Sequence, residues 1–447
     1  MILILMCCFV LAGADEPGNP VASNVAWREL RHNANAAEDG GDFQAAEQYY
    51  LQAIQAAVGG GDHFGHFVVA EQLGQLYWKM NNATAALIYL RMAVNILRHH
   101  FPADSEDKGT ALSNLGFVLR DTASLNEAED SFSEALRIFE NLESHEKLAA
   151  TYDALAIAEI CRGKLTVAEE RSKKALAILQ EHGVENMITA RCLDTLARIY
   201  ATIGRIRDAE KVSAQAEAIF RRNLPAANVG LIQCLDTKAT LLFQQQRFSE
   251  AERIWKSIID SARNAQPPLV IVEPPYHLSE LYVQTKQYGK AQQLLEQLFS
   301  QPSGRSSALN HAFIEGQLAY ALMHQHKDER ADALFQSAVS TVAASSENES
   351  LGYAILCLRY ATLKAQHKDW REAIRYLELG VKIESDVIPQ SSAMAEALEL
   401  SAQIYSKLRR HNDAKDCLNR ARAIRAVIEN PRPSNTVDIG VLAAEMR

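Results

Sequence analysis

Residues with the types to do chemistry are present, but their spacing gives them little to do. His63 and His66 lie three apart and His324 and His326 two apart. Each pair is half of a metal-ligand set, because imidazoles at short spacing can share one ion. Neither has a second pair nearby in sequence, so both read as solvated histidines of helix ends or loops, and no metal is expected. Gly59-Gly60-Gly61-Asp62 has the glycine content of a phosphate cradle. A cradle of that kind follows a strand and opens a helix. This run follows a helical pattern and reads as a linker. Asp194 and Asp236 are carboxylates on predicted helices, without a neighbouring acid whose environment would push two pKa values apart. The motifs G-x-S-x-G, H-E-x-x-H and the P-loop are absent. The expectation is a protein that is not an enzyme and carries no cofactor.

Cysteine chemistry is equally sparse. Of seven cysteines, Cys7 and Cys8 belong to an apolar leader, which leaves Cys161, Cys192, Cys234, Cys357 and Cys417. An odd number at scattered spacing is not a disulfide framework. They read as small apolar fillers. Cys192 and Cys234 hold equivalent places in neighbouring repeats, so a bridge between them is the one pairing the pattern suggests, and it is not favoured.

Composition bounds the class. The 447 residues are 48% apolar, 23% charged and only 7% aromatic, with net charge −9. That balance, with abundant Ala, Leu and Glu, predicts an all-helical chain. No Lys/Arg cluster stands out, so the electrostatic footprint of a nucleic-acid binder is missing.

The elements that must position any site emerge from Gly109 to Leu136. Leu112, Leu115, Gly116 and Leu119 make one helical stripe, and Ala128, Phe132 and Ala135 make another, with Ser124 to Asn126 as the turn. The same hairpin recurs. Ala46, Ala86, Ala128, Ala168, Ala209, Ala251, Ala291, Ala331, Ala373 and Ala414 follow one another at 40 to 42 residues. Twelve residues before each is a small residue: Ala34, Gly74, Gly116, Ala156, Ala197, Ala239, Ser279, Ala319, Ala361 and Ala402. A third register, seven residues after, is mostly small, as at Ala53, Ala93 and Ala135. Antiparallel helices approach within roughly 8–10 Å only where small side chains meet. One hairpin cannot bury its own apolar face, so successive hairpins must stack. The fold class predicted is all-α, a solenoid of about ten antiparallel helix pairs over residues 27–425.

These residues resemble the tetratricopeptide repeat family. The resemblance rests on Leu73-Gly74 with Tyr77, Leu115-Gly116 with Leu119, then Ala128, Phe132 and Ala135. The period is longer than the family's standard one and is similar to kinesin light chain repeats, whose first helices Thr110-Ala111-Leu112-Ser113-Asn114-Leu115-Gly116 resembles. The resemblance implies a right-handed superhelical solenoid with a concave groove, lined by first helices, that holds a protein or peptide. By this register the lining comprises Arg31, Asn35, Gln72, Gln75, Asn114, Arg120, Asp153, Asp194, Arg198, Asp236, Thr240, Gln244, Tyr276 and Glu280. Side-chain amides among them suit a main-chain ligand. The carboxylate clamp of some relatives is not expected. Arg31 and Asn35 match its first repeat, but Gln72, Thr110 and Asn114 leave its basic half missing.

Other segments interrupt the register. Ile2 to Leu11 is apolar and precedes Ala12-Gly13-Ala14, which reads as a secretory leader (1–14) cleaved after Ala14, without a basic n-region. Residues 15–26 read as a short linker. Asn264 to Pro275 carries four prolines. Pro274 or Pro275 opening a helix is the favoured reading, with a kink between six and four repeats as the alternative. Residues 426–447 read as a cap or tether. The functional expectation is an exported, periplasmic or secreted, non-catalytic scaffold for a protein or peptide, with no nucleic acid and no small-molecule substrate. The alternative is a cytoplasmic regulatory or sensor module.

Overall fold

Helix hairpins follow directly from the registers. The computed structural model describes residues 20–429, apart from 81, 123, 224–227, 266–268, 270, 301–307, 346–349 and 388–391. The leader, part of the 15–26 linker, the 430–447 tail and several inter-repeat breakers therefore lie outside the described residues. Among those described there are twenty α-helices and no strand.

Odd-numbered helices are the first of each hairpin and even-numbered ones the second. The early helices are α1 (Pro20–Asp39), α2 (Phe43–Gly59), α3 (His63–Lys79), α4 (Ala83–His100), α5 (Glu106–Asp121) and α6 (Leu125–Asn141). Then come α7 (His145–Cys161), α8 (Leu165–Glu181), α9 (Met187–Thr202), α10 (Ile206–Asn223), α11 (Val229–Gln244) and α12 (Phe248–Asn264). The last eight are α13 (Glu273–Gln284), α14 (Tyr288–Phe299), α15 (Ala308–Met323), α16 (Asp328–Ala343), α17 (Leu351–Gln366), α18 (Trp370–Val387), α19 (Ser392–Lys407) and α20 (His411–Glu429). α1 starts ahead of residue 27, where the sequence register begins.

Both small-residue registers are buried throughout. The crossing alanines from Ala46 to Ala373 have no exposed surface, and Ala414 keeps 5%. A Cβ added at Gly74 would come 2.7 Å from the Leu90 side chain, and one at Gly116 would come 2.7 Å from Phe132. That is tighter than any real Cβ contact, so glycine at these two crossings is a requirement of close approach. Large residues fill the space beside the crossings; Tyr50, Phe132, Trp255 and Phe335 are essentially inaccessible.

Helix starts carry their caps. Asp42, Asp62 and Asn82 accept the backbone N–H three residues on, and Asn186 forms a capping box with Thr189. Asp62 also closes Gly59–Asp62 as the linker between the first two hairpins. Pro274 and Pro275 sit in the first turn of α13, where a missing N–H is harmless.

The chain divides into two compact units, Met1–Ala154 and Leu155–Arg447, with the boundary inside α7. Within each unit, first helices of successive hairpins touch one another, as α1 with α3 and α3 with α5, or α9 with α11 and α15 with α17. First helices thus form an inner layer in each unit.

Candidate ligand-binding surface

Packing consumes the small stripe of each first helix and leaves its neighbouring positions to face the inner layer. In the N-terminal unit these positions carry amides. Asn114 on α5 donates through Nδ2 to Glu71 on α3 at 2.9 Å. Burial raises the Glu71 carboxyl above its usual range, and the Asn114 bond pulls it part of the way back. Gln72 and Gln75 are half-buried, and the buried Gln72 Oε1 lacks a hydrogen-bond partner. Asn35 accepts from the Tyr50 hydroxyl at 2.6 Å, and Arg31 lies over the Trp27 ring. Those two residues serve their own hairpin and are only partly offered outward. Arg120 stacks over Phe117 and bonds Asp121.

The aspartates depart from expectation. Asp153 is fully buried and Asp194 is 7% exposed. Their position, three residues before the small residue, turns inward between helices rather than onto an open groove. Arg198 and Gln244 are exposed, and Thr240 is half-buried. Asp236 is a structural acceptor. It takes the Trp255 indole N–H at 2.7 Å and meets His277 Nδ1 at 2.9 Å. Burial works against a charged His277, but the Asp236 carboxylate overrides it and raises the imidazole to about 9.

A polar cluster spans α13, α15 and α17. The Arg359 guanidinium rests 4.8 Å from the Tyr320 ring centroid. One of its amino groups donates to Gln317 Oε1 and the other reaches Glu280 Oε1 at 3.3 Å. Glu280 is 79 residues away, so Arg359 crosses the intervening helix to reach it. Burial opposes the Arg359 charge, while Tyr276 and Glu280 hold it on. Tyr276 is pushed up to about 12, by burial first and then by Glu280. The side chain of Arg359 keeps 20% exposure and that of Glu280 29%. Gln317 is buried, and its Nε2 finds no partner. Donors therefore outnumber acceptors here, which suits an incoming carbonyl or carboxylate oxygen.

Of the residues expected to line the surface, the structure brings Tyr276 and Glu280 into this cluster. Gln317, Tyr320 and Arg359 were missed. They continue the same register, two residues before or one after Ala319 and Ala361, which was the available signal.

The histidine pairs sit elsewhere. His63 stacks on His100 at 3.6 Å, and His324 stacks on Tyr288 at 4.6 Å. Among the described residues no three His, Cys, Asp or Glu side chains converge as a metal site. The five cysteines from Cys161 onward form no disulfide among the described residues, Cys192 and Cys234 included. No described helix is long and apolar enough to cross a membrane.

Comparison with known proteins agrees with the hairpin register. A tetratricopeptide repeat model matches residues 27–99, 107–181 and 161–222, and a second matches residues 395–425. No curated protein matches. Among solved structures, a Rap protein complexed with Competence and Sporulation Factor shares 14% identity with a TM-score of 0.56. That match covers 82% of this chain and 99% of the other. BtubC from P. vanneervenii shares 19% identity at a TM-score of 0.40, covering 52% and 94%. A putative kinesin light chain repeat protein of Podosopora anserina shares 18% at 0.35, covering 45% and 98%. The family models fall on hairpins that the small-residue register predicts, and the chain carries tetratricopeptide repeats over residues 27–99, 107–222 and 395–425.

Proposed function

We propose that the chain is a non-catalytic interaction scaffold that holds a peptide or protein partner against its first-helix layer. The observation that carries this reading is the cluster of Tyr276, Glu280, Gln317, Tyr320 and Arg359. Its donors exceed its acceptors, and a solenoid crossing needs none of them. A merely solvated face would keep Arg359 in water rather than set it on Tyr320 between three helices. The Rap neighbour, alike in fold, is itself a complex with a factor.

Site-specific photo-crosslinking tests the surface. A benzophenone side chain replacing Tyr320 is expected to capture a partner in the native compartment, and one replacing Arg253 on the second-helix layer is not. Capture at Arg253 alone would overturn the reading. The apolar run Ile2–Leu11 before Ala12-Gly13-Ala14 supports export. A mature chain beginning at Asp15 is expected from N-terminal sequencing, and a cytoplasmic chain retaining Met1 would favour the regulatory alternative.

A further inference from the structure

Eleven residues after the crossing alanine, the second helix carries an apolar side chain. Seven hairpins show it, with Ala57, Leu97, Phe139, Leu179, Phe220, Ala262 and Val342, all buried. The position packs toward the next hairpin. A Cβ added at Gly230, on the first helix that follows α10, would come 2.8 Å from the Phe220 ring. On α18 the same position is Glu384, and it is as inaccessible as the apolar residues it replaces. Neither of its carboxyl oxygens has a hydrogen-bond partner among the described residues. On α20 the position is Arg425, which is half-buried and pairs with Glu399 at 2.7 Å.

The surroundings give this acid no compensation. Leu377 and Ile383 of α18 and Met394, Ala395 and Leu398 of α19 are buried in one apolar cluster. The charged and titratable side chains on the adjoining parts of the helices are Tyr353 and Cys357 of α17, Lys382 of α18, and Glu396 and Glu399 of α19. Of these only Glu396 acts on Glu384, and it is a like charge. Burial first and Glu396 second raise the carboxyl to about 7. A neutral acid tolerates such a site far better than a carboxylate does. Among the described residues the α19–α20 hairpin is held chiefly through α18, so its docking is the contact most easily released.

We propose that the α19–α20 hairpin is a pH-controlled element of the fold, docked on α18 while Glu384 carries its proton and released when Glu384 loses that proton to solvent. The carboxylate is hydrated only in the undocked form. An exposed Glu384 titrates near 4.5 and the docked one near 7. Docking is therefore strongest below about 4.5, weakens as pH rises to 7 and is flat above it. The exposed Glu396 of α19 also acts on Tyr320 in the inner-layer cluster. Release of α19 thus removes one edge of the proposed partner surface. That consequence rests on the partner reading, whereas the release of the hairpin does not.

Hydrogen exchange of the full chain, read as protection corrected for intrinsic rates, tests the release. A lone helix pair is marginal in water, so undocking opens its amides to exchange. Between pH 5 and pH 8 the protection of residues 414–421 on α20 is expected to fall at least tenfold, while that of residues 209–216 on α10 stays within about twofold. Glu384→Leu restores the residue type that Leu97 and Leu179 hold in the register, and should keep the hairpin docked at both pH values. No such fall in the wild type overturns the proposal, as does the same fall in Glu384→Leu. Should Glu384→Leu fail to fold, Glu396→Gln, an exposed substitution that removes the like charge, is expected to lessen the fall at least twofold, and an unchanged fall is then the overturning result. Loss of partner crosslinking at Tyr320 with the exchange response intact would strike the partner reading alone.

Discussion

Lys368 and Arg409 hold a backbone conformation that Gly163 and Gly204 hold in other hairpins. Each lies five residues before a crossing alanine and has φ near +60° to +80°. Gln246, Lys286 and His326 do the same. Left-handed backbone costs an L-residue roughly 1–2 kcal/mol, against which glycine loses some chain entropy. Lys368→Gly is therefore expected to stabilise the C-terminal unit by about 0.5–1 kcal/mol, read from urea melts; a loss of stability would show that the Lys368 side chain has a role of its own. His277 gives a residue-scale prediction with pH. Its folded pKa is raised to about 9 by Asp236, so its stabilising contribution is complete below its unfolded value near 6.5 and is lost as pH rises through 9. Thermal stability is expected to fall across that window. Asp236→Asn should lie lower at neutral pH and be flatter across the same window; an equally steep fall would remove Asp236 as the cause. The sequence singled out Asp236 by its register but not its role, because His277 and the Trp255 indole are 41 and 19 residues away. Local periodicity says which face a residue takes, not which distant side chain meets it there.

Helices were the most readable level. The alanine and small-residue registers exist because two backbones must nearly touch, and that demand leaves a mark at one position per helix whatever else varies. Ala128 on α6 is inaccessible. Ala128→Arg forces a long charge into the crossing with α5 and is expected to cost several kcal/mol; an unchanged melt would place the crossing elsewhere. On α8 and α10, Ser172 and Ser213 are both buried, and only the structure shows that the first hydroxyl meets the Cys192 carbonyl while the second meets no hydrogen-bond partner among the described residues. A different element-scale tension sits between α18 and α19. Glu384 on α18 is fully buried, and neither carboxyl oxygen has a hydrogen-bond partner among the described residues. Burial first, and Glu396 second, raise its pKa to about 7. A raised acid favours the folded state below its unfolded pKa near 4.5, and that advantage drains away as pH climbs through 7. Glu384→Gln is expected to be more stable than the wild type at pH 8 and closer to it at pH 5, measured by chemical denaturation. A variant less stable at pH 8 would mean that the carboxylate has a cationic partner.

At the scale of the molecule, the main packing contacts between helices run between neighbours and next neighbours along the chain, with the Arg359–Glu280 pair from α17 to α13 as a longer reach. Stability in such an array is close to a sum of hairpin terms and nearest-neighbour interfaces. The sequence showed the array but no boundary, since the ten registers run evenly through α7, where the two compact units divide. Evenness of packing positions carries no information about how strongly one interface couples to the next. Tryptophans placed in each unit can read that coupling. Trp78, whose indole donates to Asp121 at 3.1 Å, reports the N-terminal unit, and the buried Trp255 reports the C-terminal one. With the remaining tryptophans changed to Phe, Ala128→Arg should lower the transition seen by Trp78 by roughly 5–10 °C, from about 2–4 °C per kcal/mol for a unit of this size. The transition seen by Trp255 should move by much less, because Ala128 and Trp255 belong to different units and two hairpins, α7–α8 and α9–α10, lie between them along the chain. Equal shifts at both reporters would mean that the array melts as one cooperative block. In that case a ligand held on the first helices of the C-terminal unit would stabilise α1 to α6 as strongly as its own hairpins.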